Sequence, residues 1–288
     1  MLSDQTLSRL DTLRIAMKAP VRGGAGGVRR SRVLGDSAEF SDFRDYVPGD
    51  DPRRIDWNAY ARFERLFLKL FMEEQEMLLT LIVDASASMD YGEKSKWAFS
   101  VKLAQMLMYL AVTGGDRANM IILSGEKMHK SPIYTGRQGY AQGAALLDGI
   151  APSGATALTR AVTRAPLHAA RGMCVLISDL FSEDGMEGAL ASLLYRKQQV
   201  ALLQVLSKEE MEPELEGPLR LVDAEGAPPI DVTVNGEILR LYHKNLDAFL
   251  SGTQSYCHRR GIPYVLLRSD MDLMRDALPH FMRGGVIA

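Results

Sequence analysis

From Leu79 onward, short runs of consecutive apolar residues alternate with segments whose apolar positions recur every three or four residues. An unbroken apolar run indicates a strand covered on both faces, and the longer periodic segments indicate helices. The runs are LLTLIVD (78–84), ANMIIL (118–123), MCVLISD (173–179), QVALLQVL (199–206) and PYVLLRS (263–269). Strands joined through helices run parallel, so the pattern predicts a three-layer, doubly wound, mostly parallel α/β sheet. Helical spacing covers 94–112, with Trp97, Ala98, Val101, Ala104, Met108 and Ala111 on the apolar positions and Gly114-Gly115 as the stop. It recurs over 138–150, 158–170, 186–197 and 239–260, and Asp270 reads as the N-cap of a last helix.

Two regions break the alternation. Residues 207–237 hold two polar-interleaved strand patterns, RLVDAEG and IDVTVNGE, with Gly226 and Asn235-Gly236 as turn signals. They predict a hairpin (219–237) that decorates the sheet. The first 76 residues contain a helical pattern at 3–18, the acid-free stretch VRGGAGGVRRSR, and a Pro/Gly/Asp-rich segment leading to RLFLKLF (65–71). The expected organisation is therefore an N-terminal extension, 1–65, followed by one α/β domain, 66–288.

Composition narrows the function classes. The 288 residues carry 34 Lys plus Arg against 36 Asp plus Glu, a net charge of −2 that gives no global attraction to nucleic acid or an anionic membrane. The two cysteines, Cys174 and Cys257, have no zinc or redox spacing, which points to a reducing cytoplasm. No apolar stretch reaches the roughly 18 residues of a membrane span, and the N-terminus lacks a signal-peptide core. The expectation is a soluble cytoplasmic protein with no membrane partner. The local exception is Arg22, Arg29, Arg30 and Arg32, which lie among no acids. Four arginines on a tether are more often solvated than bound to an acidic partner or RNA.

Candidate chemistry follows the first buried strand, at Asp84-Ala85-Ser86-Ala87-Ser88. Loops at the carboxyl ends of parallel strands face the crevice where such sheets bind ligands. Oxygen side chains at alternate positions of a turning loop can converge on one point and suit a hard cation such as Mg²⁺ or Mn²⁺. Ser153-Gly154-Ala155-Thr156 and Ser178-Asp179 fall on the same rim. This set resembles the metal-ion-dependent adhesion site (MIDAS) of the von Willebrand factor A fold. The resemblance implies one ion per chain, with Ser86, Ser88 and Thr156 as direct ligands, Asp84 and Asp179 holding it directly or through water, and a partner's acidic residue in the open position. Ala155 stands where that family commonly has a second glycine, and Thr159 is an alternative oxygen nearby.

A longer match lies upstream. Glu39-Phe40-Ser41-Asp42-Phe43-Arg44-Asp45-Tyr46-Val47-Pro48-Gly49-Asp50-Asp51-Pro52-Arg53-Arg54-Ile55-Asp56-Trp57, with Ala61-Arg62, Asp223-Ala224-Glu225 and GIPYVLLRSD, resembles the bacterial domain-of-unknown-function 58 family. Its members carry a von Willebrand factor A-like domain and are typically encoded beside MoxR-type AAA+ ATPases. The implied function is a non-enzymatic interaction adaptor whose rim metal recruits a protein, with a MoxR-type AAA+ ATPase as partner in assembly or maturation of complexes. In the upstream segment the alternating Arg and Asp residues read as a self-neutralising network, and Trp57 as a large face to bury. The rivals are a Mg²⁺-dependent phosphatase or hydrolase with Asp84 as nucleophile, and a metal-free scaffold.

Overall fold

The apolar runs form strands, and the alternation of their side chains decides the layering. The computed structural model describes residues 1–16, 39–72, 77–167, 172–226 and 228–287. It divides into two compact units, Met1–Met17 with Met77–Ala288 and Lys18–Glu76. In chain order the elements begin with helix α1 (Asp4–Leu10), then β1 (Glu39–Asp45), α2 (Trp57–Phe63) and β2 (Phe67–Met72) of the smaller unit. The larger unit continues with β3 (Leu78–Asp84), α3 (Lys96–Thr113), β4 (Arg117–Ser124), β5 (Lys127–Lys130), α4 (Gly136–Asp148) and α5 (Leu158–Arg164). There follow β6 (Met173–Ser178), α6 (Glu187–Tyr195), β7 (Gln199–Leu206), α7 (Lys208–Met211), β8 (Gly217–Leu221) and β9 (Ile230–Val234). Helix α8 (Gly236–Arg259), β10 (Tyr264–Arg268) and α9 (Leu278–Arg283) complete it.

The main sheet has the order β10-β7-β6-β3-β4-β5, parallel throughout except for the antiparallel edge strand β5. Successive side chains leave a strand on opposite faces. Leu79, Leu81 and Val83 of β3 accordingly join Met120, Val175 and Leu203 in a core with α3 and α4, while Ile82 joins Ile121, Leu176 and Leu202 in a second core with α5, α6 and α8. This is the expected three-layer α/β arrangement. Helix α3 is buried nearly all round, which is why its sequence is so apolar.

Several boundaries differ from the sequence expectation, each for a local reason. Edge strand β5, KMHK, has one covered face and carries no apolar run to announce it. Helix α5 stops at Arg164, two residues before Pro166, whose ring disfavours helical backbone in the residue ahead of it. Residues 168–170 of the expected helix lie outside the described residues, as do 17–38 with Arg22, Arg29, Arg30 and Arg32. Asp270 is not a cap: it forks onto Arg268 at 2.6 and 3.0 Å, and Asp272 accepts from the backbone N–H groups of Met274 and Arg275 instead. Asn235 caps α8 through Glu237 and Ile238 rather than closing a turn.

The stretch ending at Phe71 becomes β2 and pairs antiparallel with β1 inside the smaller unit, so the division falls between Glu76 and Met77 rather than at 65 and 66. In that unit the aspartates mostly satisfy backbone. Asp50 takes Arg44 and the Val47 N–H across the Pro48-Gly49 turn, Asp51 caps the 3-10 turn Pro52–Arg54, and Asp56 caps α2. Trp57 is not the buried anchor expected; it is 61% exposed and meets Tyr60 edge-on.

The first residues of the chain belong to the α/β unit. Leu10 is fully buried in the core on α3, Ile15 bridges to Ile287, and Asp11 accepts from Tyr109 Oη at 2.6 Å and from Arg137 at 3.1 Å. Leu10→Ala should therefore destabilise the larger unit by about 2–5 kcal/mol in urea unfolding; an unchanged midpoint would show that α1 is not part of the cooperative core.

Candidate functional site

In a doubly wound sheet the crevice forms where consecutive connections depart to opposite sides. Here that point lies between β3 and β6. Asp84 is the last residue of β3 and Asp179 follows the last residue of β6, so two carboxylates stand side by side, 3% and 1% exposed. The Asp84 carboxylate accepts from the Ser86 N–H at 3.0 Å and from Ser178 Oγ at 2.7 Å. Burial, then the nearby Asp179 charge, push its pKa up to about 6 against the pull of those hydrogen bonds.

Beyond Asp84 the chain turns into a 3-10 segment, Ala87–Asp90, which brings Ser86 Oγ within 3.0 Å of Ser88 Oγ. The loop carrying Thr156 is tied alongside, with Ser153 N–H donating to Ala85 O at 2.9 Å and Ala87 N–H donating to Gly154 O at 2.8 Å. Gly154 takes the left-handed conformation (φ 69°), and a Cβ there would meet Gly125 Cα at 3.1 Å. Ala155 is not among the residues with positive φ, so its methyl group is tolerated where the related pattern has a second glycine. Thr156 Oγ1 is buried with no hydrogen-bond partner, whereas Thr159 spends its hydroxyl on Gly185 O and the Ala189 N–H. Of the two threonines, Thr156 has the free oxygen.

Sequence reasoning missed the groups that share the rim charge. Lys96, at the start of α3, is fully buried and donates to Asp179 Oδ2 at 2.6 Å and to Glu210 Oε1 at 2.5 Å, under the Phe181 ring. Glu210 lies on α7 in a capping box with Ser207; burial raises its pKa, opposed by Lys96. Glu225, from the β8–β9 connection, is raised by burial and by Asp179 and Asp223, and is drawn down by the Ser88 and Ser86 hydroxyls. A lysine at a helix start reads as solvated, and the only hint was its place at the head of an otherwise apolar helix. Leu180, directly after Asp179, holds φ 68°, a strained backbone for a branched residue.

The donor set suits a hard divalent ion. Among the described residues no group of three or more His, Cys, Asp or Glu side chains clusters as a metal site. The oxygens here are instead two carboxylates, Asp84 and Asp179, with three hydroxyls, Ser86, Ser88 and Thr156. The buried Lys96 ammonium is shared between Asp179 and Glu210, burial pushes Asp84, Glu210 and Glu225 toward their neutral forms, and one buried hydroxyl is orphaned. A +2 ion would relieve both.

The strand order, parallel except for one antiparallel edge strand and covered by helices on both faces, defines a doubly wound three-layer α/β protein. The family model described as "Protein of unknown function DUF58" matches residues 42–248, and the chain belongs to that family. It is 28% identical to the uncharacterized protein Rv1480 of Mycobacterium tuberculosis over 93% of this chain and 86% of that one. Among solved structures, BatB from Bacteroides thetaiotaomicron is 20% identical, covering 72% of this chain and 96% of that chain at a TM-score of 0.43. The SpRpn10 VWA domain is 6% identical, covering 46% and 76% at a TM-score of 0.34. Among the described residues no helix is long and apolar enough to cross a membrane.

A metal-free rim has a definite pH signature. Because the folded pKa of Asp84 lies near 6, above its ordinary 3.8, the folded state binds the proton more tightly than the unfolded one. Stability from this group is then greatest below about pH 4 and declines as pH rises to about 6, by on the order of 3 kcal/mol. In EDTA, Asp84→Asn should flatten that decline and raise stability at pH 7; unfolding curves at pH 4 and pH 7 that leave the decline intact would refute the assignment.

Proposed function

We propose that this protein is a non-enzymatic interaction adaptor whose rim binds one Mg²⁺ or Mn²⁺ through Ser86, Ser88 and Thr156, with Asp84 and Asp179 directly or through water. The ion serves to engage an acidic residue of a protein partner. The observation that carries the reading is the unpartnered, buried Thr156 Oγ1 on a loop hydrogen-bonded to the Asp84–Ser88 segment, where Asp84 has no cationic partner. A cation held mainly by neutral hydroxyls keeps much of its charge and stays attractive to an incoming carboxylate. The resemblance of the 39–57 segment to the family supports a MoxR-type AAA+ ATPase as a partner, in assembly or maturation of complexes.

The chemistry of Asp84 supports binding over catalysis. A phosphoryl-accepting nucleophile must reach its substrate, but this carboxylate is enclosed and both of its oxygens already accept hydrogen bonds. A second reading, a metal-free scaffold, draws on Lys96, which already neutralises part of the rim through Asp179 and Glu210.

Mn²⁺ or Mg²⁺ should raise the Tm of wild type and leave Asp84→Ala and Ser86→Ala unmoved; equal shifts in all three would overturn the rim assignment, and no shift in wild type would favour the scaffold. In pull-downs from native lysate, a MoxR-type AAA+ ATPase should be retained with Mg²⁺ and lost in EDTA. Its absence under both conditions would refute the partnership.

A further inference from the structure

The rim occupies the carboxyl ends of the parallel strands, and the opposite end of the sheet collects a different charge. Helices α6 and α8 lead into the parallel neighbours β7 and β10, whose register sets Leu202 opposite Tyr264, so both helices finish at the amino ends of the strands. Tyr256 Oη on α8 donates to Glu187 O at the start of α6 at 2.9 Å, which places the two helices side by side. Their last residues and the corners after them read Tyr195-Arg196-Lys197 and His258-Arg259-Arg260.

No acid occurs in 188–208 or in 248–269. Lys197, His258, Arg259 and Arg260 are exposed and Arg196 is half-buried, and among the described residues no carboxylate pairs with any of them. Arg196 Nη1 is buried with no hydrogen-bond partner. Helix dipoles favour cations at C-termini, but two C-termini offer only about −0.5 charge each, against four permanent cations on these corners. The surplus repels itself, and an anion laid across both corners would relieve it.

The aromatic groups decide which anion. Tyr195, next to Arg196, is 89% exposed, and the Arg260 guanidinium lies 3.7 Å over the centroid of the Tyr256 ring. An exposed ring and a braced guanidinium plane are platforms on which bases stack, beside cations that take the phosphates. An acidic protein would use the charge and leave the platforms idle. An anionic membrane would need apolar side chains to insert, and on these corners Tyr195 is the one large apolar residue exposed.

We propose that the corners at 195–197 and 258–260 form a binding surface for a single-stranded nucleic acid, with its phosphates on Arg196, Lys197, Arg259 and Arg260 and a base stacked on Tyr195. The surface lies at the far end of the strands from the rim and needs no metal. Recognition is by backbone charge and stacking, so it is independent of base sequence.

The test follows a fluorescein-labelled oligo(A) RNA of about 15 nucleotides by fluorescence anisotropy, with the full chain in EDTA to remove any contribution from a rim cation. Wild type should bind, and log Kd should rise with log [NaCl] with a slope of about 3, from four phosphate contacts at about 0.7 each. The double variant Lys197→Gln, Arg259→Gln should bind about tenfold more weakly at low salt and lower that slope by about 1.4. Tyr195→Ala should also weaken binding about tenfold but keep the wild-type slope, the signature of lost stacking. These three side chains are exposed, so the Tm of each variant should match wild type, which separates a lost contact from a lost fold. No binding by wild type, or a slope unchanged in the double variant, would overturn the surface. Unchanged affinity in Tyr195→Ala, with polyglutamate of equal charge competing as well as unlabelled RNA, would overturn the nucleic acid in favour of an acidic protein.

Discussion

The structure is organised around one electrostatic constraint: Asp84 and Asp179 are buried side by side where the sheet reverses its winding. Two anions that close in a dry environment repel each other and forgo hydration, and each needs compensation from whatever surrounds it. Asp179 receives the Lys96 ammonium and the Phe181 N–H. Asp84 receives only dipoles, from the Ser86 N–H and Ser178 Oγ, and its raised pKa is the residue of that imbalance.

The loops around the rim carry the backbone cost of this arrangement. Gly154 accepts a left-handed conformation to lie against the Gly125 turn, and Leu180 adopts one without being glycine. Both left-handed positions, of which only Leu180 is strained, lie close in sequence to residues with oxygen side chains, Thr156 and Asp179. The rigid part is below: β3, β4, β6 and β7 pair in continuous register, so the loops are anchored at their roots on strands with no exposed face.

The sheet was legible because parallel strands covered on both faces announce themselves as unbroken apolar runs, and LLTLIVD and QVALLQVL became strands at the residues the pattern marked. Legibility fell where burial is one-sided or where a polar group has a distant partner. KMHK carries no apolar run, and Asp270 has the right residue type for a cap but a closer claim from Arg268. The DxSxS spacing brought Asp84, Ser86 and Ser88 together because they are near in sequence, and parallel topology brought in Thr156 and Asp179. Lys96, Glu210 and Glu225 were beyond that logic. They meet the rim from a helix start, a single helical turn and a hairpin, and no periodicity encodes where such side chains end.

The hydrogen bonds on the rim also constrain how a cation would sit. Each oxygen of Asp84 and Asp179 already accepts from a protein donor, Asp179 from a charged one. Direct ligation by Asp179 Oδ2 would bring a divalent ion against the Lys96 ammonium, a repulsion that contact through water softens. The hydroxyls carry no such conflict. Ser86 and Ser88 hydrogen-bond to each other at 3.0 Å, and Thr156 Oγ1 is buried with no hydrogen-bond partner. Neutral ligands would leave most of a cation's charge to be met by a carboxylate from elsewhere.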